Sequence, residues 1–583
     1  MEEESDVTHI TSLPSEIMCM ILENNDFRDI VKLGLTCKHF NALVTINQYL
    51  WKAKLKDLLP NDIYTIVEAH NDGNWYDVFK KIYKIRKQVY CDIMGMSEKY
   101  FDRVDYLKLQ DVKSFFSLAL NNNLNYYYII YLLQDVIRQA YKGVENNHCE
   151  KPFTLTEVYY AKAVLRYLVQ TYLTIKWVQA HLKNELHPEV VLNFFMQWMD
   201  PLNFHLDEDV DNAINTLVKK VETLMPKDKY CSEHMSIPEK INRGIVKHKE
   251  VLHAISQVMY QDMRMAVMTH ANLDTLDIIK VLKNKCGNPI TIAVIYHAVA
   301  RRCGVQCELI AFPQHLILQW RNVYDSNRPV QYKIVLDTGE LIPKGQCPFS
   351  NNHMSSQQNP QNYCPDSLLQ YTVACYHTTK GLIRDWYTQN SAHLLNFLRT
   401  DTSEDNPYKY FLSYLLDNTQ IPALNQTIHL RDMNDSHRDI INALSLLNSS
   451  PSSICRDVVV KHRNSNLKYA VGMICYHQKY EYMCVIRGWN LCCSEQQGFS
   501  DPKSSEQPFY NIVAVDQSNR YVAQEYLVEI RRPIRVYHLE DVIAKEFTHF
   551  DGFCYVPNNE KEREYPEDGP IRDTFRTLAS IRL

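Results

Sequence analysis

Cys286, Cys303, His315 and Asp337 are the residues of this chain whose types and spacing could do covalent chemistry. A cysteine at a helix start has its thiolate favoured by the helix dipole and by a neighbouring imidazole. An acid beyond the imidazole then holds it in the required tautomer. Cysteines flanking a helical stretch, followed by a histidine and an aspartate on strand-like runs, have the layout of a thiol-nucleophile site. The ordinary alternatives are that His315 satisfies a half-buried hydrogen bond and that Asp337 caps a turn before Gly339.

The elements that must position these groups are legible. Asn288-Pro289-Ile290-Thr291 leads a helix through Val294, His297, Ala298 and Ala300 to Arg301-Arg302-Cys303-Gly304. Two basic residues suit the negative end of that helix, and Gly304 suits its termination. Three strand-like runs follow, Gln306 to Ala311, His315 to Trp320 and Tyr332 to Leu336. The stretch from Cys286-Gly287-Asn288-Pro289 to Gly304, with Pro313-Gln314-His315 and Leu336-Asp337, resembles the SirB-type branch of the transglutaminase-like fold. The resemblance implies that the nucleophile position falls on Pro289, which carries no nucleophile. His315 and Asp337 then read as two members of a triad whose reactive member is gone. Cys286 lies three residues earlier, about one helical turn outside that position, where near-attack geometry tolerates errors of only about 1 Å. The expectation is a retained scaffold that binds rather than cuts, with no catalytic residue and no cofactor. A thiol hydrolase or transglutaminase using Cys286 or Cys303 with His315 is the rival reading.

The amino-terminal stretch, Thr11 to Leu55, carries a different kind of information. Ser12 suits an N-cap, Pro14 a first helical turn, and Ile17, Met20 and Ile21 recur at helical spacing. Asp26 restarts the chain as a second cap before Ile30, Leu33 and Leu35, and Thr36-Cys37-Lys38-x-Phe40 begins a third segment ending at Leu50-Trp51. Three short helices in about 45 residues bury too little surface to stand alone. Leu13-Pro14, Glu16-Ile17, Ile21-Leu22, Ile30, Leu33, Cys37-Lys38, Phe40 and Leu50-Trp51 together resemble the F-box. The resemblance implies docking onto the Skp-type adaptor of a cullin–RING ubiquitin ligase, with Leu13, Pro14, Ile17, Ile30, Leu33, Leu50 and Trp51 facing the adaptor. An ordinary helical cap would share the periodicity but not the order of Pro, Cys and Trp.

From Lys468 the pattern changes to period two. Tyr469, Val471 and Met473 alternate, as do Tyr480, Tyr482, Cys484 and Ile486; Gln507 to Asp516 is another strand, turned by Gln517-Ser518-Asn519 into Arg520 to Glu525. Short strands with tight turns predict a small, strongly bent barrel. With His549-Phe550-Asp551, Tyr555-Val556-Pro557-Asn558 and Tyr565-Pro566-Glu567-Asp568, this region resembles the YccV-like, or hemimethylated-DNA-binding, domain. Basic and acidic residues between Lys468 and Arg535 nearly cancel, whereas phosphate binding needs several uncompensated cations on one face. Arg531, Arg532 and Arg535 are the candidate DNA contacts, and a protein-recognition barrel is the favoured reading.

Composition bounds the remainder. At 583 residues, with 45% hydrophobic and 22% charged residues, the chain reads as a soluble multidomain protein. No glycine-rich phosphate loop is present, and a net charge of −5 disfavours a chain-wide nucleic-acid surface. The acidic start, MEEESDVTHI, does not read as a secretory signal, and the longest apolar run, Tyr126 to Leu133, is too short to cross a membrane. The 17 cysteines therefore read as thiols of a cytoplasmic or nuclear protein. Cys303-x-x-x-Cys307 and Cys492-Cys493 lack the paired partners of a zinc finger, and against a surface cluster of Cys475, His477, Cys484 and Cys492 buried cysteine is the simpler reading, so no metal is expected.

The expected architecture is multidomain and mainly α with α+β parts. It comprises a three-helix F-box at 8–57, a helical region at 60–280, a transglutaminase-like α/β core at 281–345, a flexible loop at 346–366, a helical tail at 367–448 and a small β-barrel at 465–568. Within the helical region, Val158, Ala161, Leu165, Leu168, Tyr172 and Ile175 predict one apolar stripe, and Pro188 opens a helix through Val190, Phe194 and Trp198. The three resemblances together imply a substrate receptor of an SCF-type ligase, needing no active-site chemistry of its own. A DNA-binding regulator acting through the barrel is the second rival.

Overall fold

The computed structural model describes residues 13–71, 73–102, 107, 109–120, 123–142, 153–203, 205–226, 235–311, 316–322, 330–343, 364–381, 385–398, 457–492, 507–530 and 532–581. The amino-terminal unit contains four helices rather than three: α1 (Ser15–Glu23), α2 (Phe27–Gly34), α3 (Lys38–Ile46) and α4 (Gln48–Leu58). The expected third helix is broken at Asn47, whose side chain leaves the helical path to accept from the Leu50 amide at 3.1 Å. Asp26 caps α2 by accepting from the Arg28 amide at 2.7 Å, while Pro14 sits at the cap position of α1 rather than in its first turn. Ser12 lies outside the described residues.

Helix α5 (Asn61–His70) leads to α6 (Trp75–Tyr100), a 26-residue helix that ties the amino-terminal unit to the rest. Its first turns receive Trp51, which lies 4.7 Å from Phe79 and 5.1 Å from Tyr76 between ring centroids. Helices α7 (Lys113–Leu120), α8 (Asn123–Lys142), α9 (Leu155–Leu182) and α10 (Pro188–Met199) follow, then α11 (Asp207–Leu224), α12 (Ile237–Asn242) and α13 (His248–Ser256). Pro188 opens α10 as its spacing predicts. The single stripe expected on α9 is a correction: Tyr160, Ala163, Val164, Tyr167 and Val169, off that stripe, are buried as well. The helix is enclosed on all sides because α6, α8 and α10 pack around it and the carboxy-terminal domain closes over its first turns.

The two-residue strand β1 (Ala266–Val267) pairs in parallel with β2 (Cys286–Gly287), with α14 (Leu273–Leu276) and α15 (Ile278–Asn284) forming the connection between them. Helix α16 (Pro289–Arg302) then runs buried from Ile290 to Ala300 and stops at Gly304, whose φ of +81° only glycine adopts cheaply. An antiparallel meander covers it: β3 (Cys307–Ala311), β4 (Leu316–Asn322), β5 (Val330–Ile334) and β6 (Leu341–Pro343). Cross-strand pairs such as Leu309 with Leu318, and Trp320 stacked on Tyr332 at 5.5 Å, set its register. The sequence reading missed β6. Helices α17 (Pro365–Lys380) and α18 (Trp386–Leu398) complete this body. The part of the expected helical tail beyond residue 398 and most of the expected loop at 346–366 lie outside the described residues.

The carboxy-terminal domain has a five-stranded antiparallel sheet, ordered β10-β9-β8-β7-β11. Its strands are β7 (Ile474–His477), β8 (Tyr482–Asn490), β9 (Phe509–Ala514), β10 (Asn519–Ala523) and β11 (Leu527–Glu529); a hairpin of β12 (Phe547–Phe550) and β13 (Tyr555–Pro557) packs against it. Tyr469 to Met473 is not a ladder strand as expected. Residues 469–471 and Met473 are buried, and Gly472 turns the chain at φ +91°, where a Cβ would sit 1.9 Å from the Tyr555 carbonyl oxygen. A bulge between Ile486 and Gly488 bends β8. Asp568 closes the domain from within: it accepts from the Val471 amide at 2.7 Å and the Trp489 indole at 3.0 Å, and pairs with Arg463 at 2.6 Å.

The domain is joined to the helical body by buried polar bonds. Ser97 donates to Glu560 at 2.6 Å, Thr156 donates to the Phe547 carbonyl at 3.0 Å, and Lys162 pairs with Asp541 at 2.6 Å. Leu155 of α9 also enters the barrel's apolar core. Helix α6 therefore touches the amino-terminal unit at Phe79 and the carboxy-terminal domain at Ser97, about 27 Å apart along its axis.

Candidate functional site

An amphipathic helix hides one face and shows the other, so the informative residues in α1 to α4 are the apolar ones left outside. Met18 and Leu22, four apart, point inward from α1, whereas Ile17, Met20 and Ile21 point out. Ile30 points inward from α2, while Val31 and Leu35 share the outer face. Leu13, Ile46 at the end of α3 and Tyr49 in α4 are exposed as well. Met20 is 63% exposed, Leu35 78%, Ile46 74% and Tyr49 70%. So dense a set of solvent-facing large apolar side chains on four short helices is characteristic of an interaction surface.

Three residues expected on that face are not on it. Ile30, Leu50 and Trp51 are each 0% exposed. Trp51 donates its indole N–H to the Val44 carbonyl at 2.6 Å and packs on α6, so these three side chains hold the unit together from below. Leu33 is half-buried against the same core, while Leu13, Pro14 and Ile17 are exposed. The outer residues Val31, Leu35, Ile46 and Tyr49 escaped the sequence reading because helical spacing identifies two faces without saying which one α6 will cover. Adjacent positions were the available signal: a residue next to a buried one is rotated by about 100° around the helix.

Of the four thiol-site candidates, Cys286, Cys303 and Asp337 are among the described residues, and they sit on different elements. Pro289 is the first residue of α16, and Asn288 caps that helix by accepting from the Ile290 amide at 3.0 Å. Cys286 is half-buried on β2, with its backbone paired to Ala266. Asp337 is exposed in the turn after β5, and His315 lies outside the described residues. Cys303 sits past the far end of the 14-residue α16, about 21 Å along the helix from Pro289. Burial pushes its thiol up to about 12, which leaves it protonated and unreactive at neutral pH. Burial does the same to Cys307, Cys484 and Cys554. In iodoacetamide labelling followed by mass spectrometry, exposed Cys37, Cys91 and Cys492 are expected to react first, and these four buried thiols only after denaturant is added. Rapid, His315-dependent labelling of Cys303 would contradict this arrangement.

In the carboxy-terminal domain, Cys475 and Cys484 are buried cross-strand partners, whereas Cys492 lies exposed beyond β8, about 26 Å along an extended chain from Cys484. Among the described residues, no group of three or more metal-ligating side chains is assembled. Of the candidate DNA contacts, Arg531 lies outside the described residues and Arg532 is exposed. Arg535 is a correction: Glu540 binds it through two hydrogen bonds of 2.6 and 3.0 Å, which removes it as a free phosphate ligand. Arg487 and Arg520 are likewise paired, with Glu546 and Asp516.

Comparison with known proteins adds three family matches. Residues 10–56 match the F-box-like family, 208–358 the transglutaminase-like superfamily, and 467–553 the hemimethylated DNA-binding protein YccV-like family. The second match begins inside the expected helical region and takes in α11 to α16 together with the β3–β6 meander. The chain is 23% identical to F-box only protein 21 of Pongo abelii over 99% of its own length and 95% of that protein. It is 22% identical to the proteins of the same name in Mus musculus and Homo sapiens, over 98% and 99% of its length. No solved structure matches the chain. Among the described residues, no helix is long and apolar enough to cross a membrane.

Proposed function

We propose, on the premise that a chain with F-box-like, transglutaminase-like and YccV-like regions in that order, similar end to end to F-box only protein 21, shares its place in a ligase, that this protein is the substrate-recognition subunit of an SCF-type cullin–RING ubiquitin ligase. The observation that carries the reading is the set of uncovered large apolar side chains on the amino-terminal unit, Leu13, Ile17, Met20, Ile21, Val31, Leu35, Ile46 and Tyr49. This surface receives the Skp-type adaptor, which links the chain to the cullin. Ile30, Leu50 and Trp51 support it from behind. The transglutaminase-like and barrel regions, held to the same frame by α6 and α9, present the protein substrate. A receptor of this kind accelerates ubiquitin transfer by raising the effective concentration of a substrate lysine near the charged conjugating enzyme. Degradation of the tagged substrate in the cytoplasm or nucleus follows.

The transglutaminase-like region contributes no nucleophile in this reading. Pro289, where the resemblance implies the nucleophile, opens the helix, Cys286 belongs to a strand, and Cys303 is a buried thiol past the far end of the helix. Pull-down of the full chain from cells tests the proposal: the adaptor and a cullin are expected in the eluate. Leu13→Ala with Pro14→Ala is expected to lower adaptor recovery about tenfold, through loss of one apolar anchor and of the rigid entry into α1. Purified full-length protein that ignores the adaptor on simple mixing would end the ligase reading.

A further inference from the structure

Arg166, in the middle of α9, is a guanidinium only 2% exposed and has no carboxylate partner among the described residues. Its Nη1 donates to the neutral Gln389 side chain at 2.7 Å, and its Nε–H has no acceptor. A buried cation is ordinarily paired, because removing it from water uncompensated costs several kcal/mol. Nearby, the Trp386 indole N–H, on a residue 4% exposed, also lacks an acceptor. Both residues line a cavity of about 20 Å³ where α9, α18 and the short helix Glu540–Ile543 of the carboxy-terminal domain meet. That volume accommodates one or two waters, or the head of a single carboxylate.

The charges around the cavity select the ligand. Four charged residues line it: Lys162, Arg166, Glu540 and Asp541. Lys162 is matched by Asp541 at 2.6 Å, and Glu540 by Arg535 at 2.6 Å, so Arg166 is the charge left over. One uncompensated positive charge with a second N–H donor suits a planar monoanion. A phosphate would bring a second negative charge towards Glu540 and Asp541.

We propose that this junction cavity binds a carboxylate presented by a polypeptide, either a free chain end or an Asp or Glu side chain, with Arg166 and Trp386 as its donors. The proposal rests on the substrate-receptor reading for the polypeptide source of the group, and places part of the recognition site where the barrel meets the helical body. A carboxylate here also bridges the two bodies, adding to the Lys162–Asp541 and Thr156–Phe547 contacts.

The test uses the full-length protein and three probes: sodium acetate against sodium chloride at equal ionic strength, an Ala/Gly hexapeptide as free acid against its carboxy-terminal amide, and the amide hexapeptide carrying one Asp. Acetate is expected to raise the thermal midpoint by a few degrees at saturating concentration. Binding of the free-acid peptide alone identifies a chain end, and binding of the Asp peptide identifies a side chain; either outcome supports the site. Arg166→Met is expected to weaken binding by about ten- to a hundredfold while raising the midpoint of the unliganded protein, since it removes an unpaired buried charge at similar volume. Trp386→Phe keeps the packing, removes the N–H and should weaken binding about tenfold, so it carries the test if Arg166→Met does not fold. No response to any probe, or an equal response in wild type and both variants, overturns the proposal. Adaptor binding measured on the same preparations separates this failure from that of the ligase reading, since the F-box face is remote from the cavity in the chain.

Discussion

A chain carrying Ile17→Asp and Leu35→Asp is expected to keep its thermal midpoint and to lose adaptor affinity by about a hundredfold or more. Both side chains are exposed in the free protein, and exposed substitutions change stability by only about 0.5 kcal/mol. In the complex each new carboxylate would be desolvated against apolar surface, at about 2 kcal/mol or more apiece, and every 1.4 kcal/mol is about tenfold in affinity. Trp51→Ala is the contrasting variant. Its indole is enclosed by Val44, Tyr76 and Phe79, so truncation should cost about 3–5 kcal/mol of folding stability and detach the unit from α6. Calorimetry alongside a surface-binding assay distinguishes the two: affinity without stability for the aspartates, both together for Trp51. Undiminished affinity in the double-aspartate chain would mean that the outer face is not the docking surface.

Asp568→Ala is expected to unfold the carboxy-terminal domain at much lower denaturant, with a loss of about 3–5 kcal/mol. The carboxylate is fully buried and accepts from an amide, an indole and a guanidinium, and Arg463 itself is 7% exposed at its side chain. Removing one partner of such a pair leaves the other charge buried and unanswered, which costs far more than the pair contributes net. Asp568→Asn should fall between wild type and alanine, because it keeps the acceptor oxygen and loses the charge. Urea titration followed by circular dichroism and Trp fluorescence measures this, and a loss below about 1 kcal/mol would show that the network does not hold the domain. Adaptor binding by the variant should persist, since the F-box unit has its own attachment to α6.

The local features of this chain were legible because they depend on neighbours along the sequence. Asp26 as a cap, Pro188 at a helix start, the helix from Pro289 to Arg302 and its stop at Gly304 each follow from backbone chemistry within a few residues. The ordered Leu-Pro, Cys-Lys and Leu-Trp landmarks likewise identified the amino-terminal unit without its packing. The same reading put Ile30, Leu50 and Trp51 on the outside and passed over Leu35, Ile46 and Tyr49, because helical spacing separates two faces but does not name the covered one. That choice was made by Phe79 and Tyr76 on α6, contacts across some 25 residues of chain.

The larger the separation, the less the sequence could determine. Arg535 reads as part of a basic run until Glu540 folds back onto it. Arg166 reads as one position on a long helix, and only packing against α18 and the carboxy-terminal domain, more than 200 residues on, turns it into a buried cation beside a cavity. Spacing and residue type thus determined which helices and strands form and where they stop. Tertiary structure decided which side chains lost water and which charges lost partners, because desolvation depends on everything that surrounds a group, however distant in the chain.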